Sequence, residues 1–100
     1  MTTNTKFKEA ATRLFPTLKQ FVPIVDRVHG PHHPEFHDVR ALFSTIVEKT
    51  EAISPAKPEL TEEFTKLNEI TSNYTIPGDV CESFAAVYNM LAELQTAYQE

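Results

Sequence analysis

Four histidines and a carboxylate fall within one short stretch, His29-Gly30-Pro31-His32-His33-Pro34-Glu35-Phe36-His37. Imidazole and carboxylate suit iron, zinc or manganese, and the four-residue step from His33 to His37 brings two ring nitrogens onto one face of a helix. One reading is therefore a metal site for iron or zinc on His29, His33 and His37, completed by Glu35 or by a second subunit. The other is an interhelical connection whose histidines cap helix ends and titrate in water. The phase of the helix that follows sets His37 well away from its apolar stripe and His33 at its flank. That pair would face solvent, without the outer partners that orient metal ligands. His29 follows Val28 at the edge of an apolar seam and is placed to point between helices, either as a packing residue or as a ligand.

Other reactive groups are sparse. Cys81, the single cysteine, lies in the first turn of a predicted helix, where the macrodipole favours a thiolate, but Asp79 and Glu82 beside it act the other way. It is expected to be a small buried apolar residue, with reversible thiol chemistry as an alternative. Glu48, Glu51, Glu62, Glu63, Glu82 and Glu93 lie mostly outside the apolar stripes and read as solvated. There is no Gly-rich phosphate loop, nucleophile elbow or CxxC pair, and the serines have no evident base, so the chain does not read as an enzyme.

The elements that must position these groups are helices. Phe7, Ala11, Leu14, Leu18, Phe21, Val25 and Val28 alternate steps of four and three, which predicts one helix over residues 5–29. Pro16 and Pro23 interrupt it, yet on that phase both lie opposite the stripe, where a bend leaves the lost hydrogen bond facing water. Gly30 and Pro31 stop it. Pro34 and Glu35 then open a second helix to about Ile53, with a seam of Phe36, Val39, Phe43, Ile46 and Ile53 widened by Leu42 and Val47. Ser54 to Pro58 form a breaker. A third helix, about Pro58 to Asn73, carries Leu60, Phe64, Leu67, Ile70 and Tyr74. Asp79 and Glu82 resemble a capping box that starts a fourth, with Val80, Phe84, Val87, Leu91, Leu94 and Tyr98 on its seam.

Composition narrows the function. The chain has 100 residues, 41% of them apolar, enough for a single core and one domain over residues 1–100. With 14 acidic and 9 basic residues the net charge is −5, which gives no basic stripe for a phosphate backbone, so nucleic-acid binding is not expected. No apolar run approaches the roughly 18 to 20 residues that span a bilayer, and neither membrane insertion nor secretion is expected. One cysteine allows no intrachain disulfide, which fits a reducing cytoplasm.

Two segments, FPTLKQFVPIVDRVHGPHHPEFHDVRALF and LNEITSNYTIPGDVCESFAAVYNMLAEL, together cover about half the chain. The first resembles the Leu-Pro-x-Leu, Val-His-Gly, His-Pro-Glu and Leu-Phe run of the Ric-type iron-sulfur cluster repair proteins. The second resembles that family's Thr-Asn-Asn-Tyr, Pro, Ala-Cys and Leu-Tyr-x-x-Leu-x-Glu-Leu stretch. The resemblance implies a hemerythrin-like four-helix domain, which in that family holds two irons on His and Glu from all its helices. His29 matches the ligand in Val-His-Gly. The family's other helix-one histidine falls on Lys8, and its HxxxE pair falls on Ile53 and Lys57. The histidine opening its third helix has only the Lys57-Pro58 region as a counterpart, and its last motif would follow Glu100. Lysines and an apolar side chain at those places would not offset the desolvation of two irons.

The reading is thus an all-α, antiparallel, hemerythrin-like four-helix bundle that acts in the cytoplasm as a non-catalytic binding or structural module without a di-iron centre. Its partner is expected to be another copy or a protein of an iron-sulfur repair or nitrosative-stress pathway. The alternative keeps iron or zinc on His29, His33 and His37, with a repair or sensing role.

Overall fold

The computed structural model describes residues 4–53 and 56–100, and it is a four-helix bundle: α1 (Asn4–His29), α2 (Glu35–Ile53), α3 (Thr61–Thr71) and α4 (Glu82–Gln99). No strand occurs among the described residues. Partners across the α1–α4 seam run in opposite chain directions, Lys6 with Glu100, Arg13 with Glu93 and His29 with Cys81. Asn68 and Gln95 exchange amide hydrogen bonds of 2.8 and 3.0 Å across α3 and α4. No helix among the described residues is long and apolar enough to cross a membrane.

α1 is unbroken through both prolines. Pro16 is exposed and Pro23 half-exposed, so the carbonyls that lose a donor lie away from the core. The buried stripe runs Phe7, Ala11, Leu14, Leu18, Val22, Val25, and this departs from the predicted heptad. A helix returns to the same face every 3.6 residues, so a strict seven-residue seam slides round it by about 20° per repeat. By the last two turns the core has moved onto Val22, while Phe21 and His29 are half-buried and Val28 is 57% exposed.

α2 buries Phe36, Val39, Phe43 and Ile46, while Leu42 and Val47 pack at the margin. Pro34 precedes the helix instead of opening it, and Glu35 and Asp38 occupy the first turn, where the macrodipole favours negative charge. Ile53, expected on the seam, is 45% exposed at the last residue of the helix. Ser54 and Pro55 of the predicted breaker lie outside the described residues.

α3 is shorter than its pattern suggested. It begins after Leu60 and ends at Thr71 because Ser72, Asn73 and Tyr74 all take left-handed backbone, with φ of 52°, 57° and 62°. The Ser72 and Asn73 amides both donate to the Asn68 carbonyl, and the Tyr74 amide donates to Thr71 Oγ1 at 2.9 Å. These bonds hold a conformation that non-glycine residues rarely adopt. α4 starts at Glu82, with Cys81 at the N-cap and no side-chain cap bond, so the expected Asp79–Glu82 capping box does not form.

The core is one cluster drawn from all four helices. Its densest part is aromatic: Phe84 lies 4.7 Å from Tyr88 and 5.1 Å from Phe36, and Phe36 stacks nearly parallel on Tyr88 at 6.2 Å. Burial pushes the Tyr88 hydroxyl up to about 12, with Glu35 nearby adding to the effect. Fully burying each such ring contributes roughly 2 to 3 kcal/mol of transfer free energy.

Candidate functional site

The α1–α2 connection and the segment before α4 meet at one end of the bundle, where His29 and His33 flank Phe84 and reach Cys81 and Asp79, while His37 lies beside Asp26 and Gly30. Their side chains then part company. His29 is half-buried and stands edge-on to the Phe84 ring at 5.5 Å, and its Nε2 lies 3.2 Å from Cys81 Sγ. Cys81 is exposed, contrary to the burial expected of it, because it caps α4 at the rim and does not occupy its seam. The contact sets an imidazole nitrogen beside the thiol, with the donor decided by the tautomer of the ring. Among the described residues no carboxylate bonds the other nitrogen of His29, so the pair lacks the third group that orients a catalytic imidazole.

His33 does the most mechanical work. Its side chain is 14% exposed and lies 5.4 Å from the same Phe84 ring. Nδ1 is 3.0 Å from Glu35 Oε2 on α2, and Nε2 is 3.0 Å from Asp79 Oδ1 ahead of α4. Only an imidazolium can donate from both nitrogens. Burial opposes that charge, but the bonds to Glu35 and Asp79 together outweigh it and raise the His33 pKa above its ordinary 6.5. The same bond is the main reason the Asp79 carboxyl is held below its usual range, with His32 adding a smaller share.

His37 belongs to a third set. Its Nδ1 lies 2.6 Å from Oδ1 of the buried Asp26, close but poorly aligned for a hydrogen bond, while Arg40 donates to Oδ2 at 3.1 Å. The His37 ring covers Gly30, where a Cβ would meet His37 Cε1 at 2.8 Å and also the Asp26 carbonyl oxygen. Gly30 is there for close approach, and its amide donates to that carbonyl at 2.8 Å. His32 is exposed.

The three histidines singled out from sequence are thus at one end of the molecule but face a thiol, two carboxylates and a separate carboxylate–guanidinium pair. Among the described residues no group of three or more His, Cys, Asp or Glu side chains is arranged to hold a metal ion. Asp26 was missed by the sequence reading. Its signal was its place beside Val22 and Val25 on α1, opposite the His37 and Arg40 pair one turn apart on α2. Glu63, read as solvated, is buried: burial pushes its carboxyl up, but the 2.6 Å bond from Lys49 outweighs this and lowers it.

The interior does not fit the di-iron set that the family resemblance implies. Lys8 is exposed, Ile53 is at the surface, and Lys57 donates to the Tyr98 carbonyl at 2.6 Å and sits over that ring at 4.4 Å. The buried polar residues Asp26, Glu63 and Thr71 are engaged with Arg40, Lys49 and the Leu67 carbonyl. Two multivalent ions would have His29 alone as a fitting donor. Comparisons with protein-family models, with curated proteins and with solved structures found no match.

Proposed function

We propose that this chain is a non-catalytic helical binding module, descended from Ric-type repair proteins and acting in the cytoplasm, in which an apolar core stands where that family holds its irons. The observation that carries the reading is a second apolar stripe on α1. Phe21, half-buried against the core, is followed at helical spacing by Ile24 and Val28, which are 44% and 57% exposed. Exposed apolar side chains grouped on one face mark contact surfaces more often than singly scattered ones do. The loop resemblance supports a partner from iron-sulfur repair or nitrosative-stress chemistry.

The test is metal content and its effect on folding. Protein purified without a histidine tag is expected to carry iron and zinc far below one equivalent, and a chelator is expected to leave its thermal midpoint unchanged, since a metal bound only to the folded chain would raise it. Near-stoichiometric iron or zinc that disappears in His29→Ala would overturn the reading.

A further inference from the structure

We propose that the cleft between the end of α3, Glu35 of α2 and Tyr88 of α4 is a binding site for a small primary amine, held as its ammonium ion. The cleft has a volume of about 190 Å³, well above the roughly 10 to 15 Å³ that a single water needs. Tyr88 carries the inference. The residue is 1% exposed and lines the cleft, yet its hydroxyl makes no hydrogen bond among the described residues. A buried phenol usually finds a partner. The Tyr74 hydroxyl, also without one, is sealed inside the protein, whereas that of Tyr88 is not sealed and opens on the cleft. Phe36 stacked on its ring and Tyr74 edge-on, each at 6.2 Å, fix where the hydroxyl is presented.

The walls select a cation. Glu35 is the one charged residue lining the cleft among the described residues. It meets His33 through Oε2 at 3.0 Å, and its Oε1 makes no hydrogen bond there. The last turn of α3 ends at the cleft and brings the negative end of its macrodipole, while Glu35 and Asp38 offset the positive end of α2. Donors on the α3 side are already spent. The Ser72 and Asn73 amides go to the Asn68 carbonyl, the Thr75 amide to the Thr71 carbonyl at 3.0 Å and the Thr75 hydroxyl to the Ser72 carbonyl at 2.6 Å; Pro77 has no N–H. An anion would meet a carboxylate and committed donors. A primary ammonium brings three N–H donors to Glu35 Oε1, the Tyr88 hydroxyl and the remaining lone pair of the Thr75 hydroxyl. Ile70 and Pro77 supply apolar wall for a short alkyl stem, which a bare metal cation would leave unused. A net charge of −5 attracts such a ligand from a distance.

Two-dimensional NMR of the ¹⁵N-labelled, untagged chain, titrated with n-butylammonium chloride at about pH 7 and constant ionic strength, reads the site. Saturable shifts centred on Ile70 to Thr75 and on Tyr88 are expected, with half-saturation at roughly 1 to 10 mM for a ligand of so few atoms. Tyr88→Phe, which keeps the packed ring, weakens binding at least about threefold, and Glu35→Gln, which keeps an acceptor for His33, at least about tenfold. Ligand controls on the parent chain decide the matter without any variant: n-butanol lacks the charge, tetramethylammonium lacks the N–H donors, and neither saturates. Shifts that stay linear to about 100 mM amine overturn the site and leave the cleft to water. Equal saturation by potassium chloride or by tetramethylammonium overturns the primary amine as its ligand. Binding unchanged in both Tyr88→Phe and Glu35→Gln overturns the assignment to this cleft.

Discussion

At the end of the bundle where α2 hands over to α3, one aromatic side chain closes the structure. Tyr98 accepts a hydrogen bond from the Leu60 amide at 2.8 Å, its carbonyl accepts one from Lys57, and its ring meets Phe7 at 5.6 Å and Phe64 at 5.3 Å. At the opposite end the α1–α2 connection is tied down by His33 bridging Glu35 and Asp79 and by Asp26 holding Arg40. The first closure rests on ring contacts and on the hydrogen bonds made at Tyr98. The second depends on an imidazole whose charge changes near neutrality. The two ends of one fold should therefore respond differently to truncation and to pH.

Truncation gives the largest separation. Tyr98→Ala removes three ring contacts and leaves the buried Leu60 amide unpaired, and it is expected to cost about 3 kcal/mol in chemical denaturation. Gly30→Ala probes packing at the histidine end. Its methyl group runs into the Asp26 carbonyl and the His37 ring, so α1 must shift, at a cost of about 2 kcal/mol. Should Gly30→Ala prove neutral, the close approach of His37 would be wrong and the histidine end looser than described. Tyr98→Phe keeps the ring and loses the hydroxyl that accepts from Leu60 and meets Thr61 Oγ1, for about 1 kcal/mol, independent of pH between 5 and 8.

The same contrast explains what could be read from the chain alone. The four helices follow from apolar spacing, and Phe36, Val39, Phe43, Ile46, Phe64, Phe84, Val87 and Leu91 all sit in the core where spacing put them. What failed did so at ends. Val28 and Ile53 left their seams because repeat counting accumulates error along a helix. α3 stopped early at three left-handed residues of which only Asn73 is a usual candidate. Asp79 was assigned to the nearest helix terminus although it bonds His33, 46 positions away. Chemistry at the histidine end was half legible: the residues were conspicuous, but their partners Asp26, Asp79 and Cys81 are set by how connections meet in space, which no local pattern encodes.

The smallest effect, and the one that divides the two ends most cleanly, is in pH. The His33 pKa is raised above its ordinary 6.5, so its bridge contributes fully below about pH 6.5 and is lost as pH climbs through the folded value. Asp79 is lowered from 3.8, so its contribution is complete above about pH 4 and is lost as pH falls through its depressed value. Between those limits the bridge from α2 to the start of α4 is intact. Urea midpoints taken at about pH 5 to 8.5 should therefore decline on the alkaline side in the parent chain, and should lose that decline in His33→Gln. Tyr98→Phe should instead lower the whole curve without changing its shape. Glu35, Asp79 and His32 also face this bridge, so a decline that persists unchanged in His33→Gln would move the pH sensitivity away from the His33 bridge.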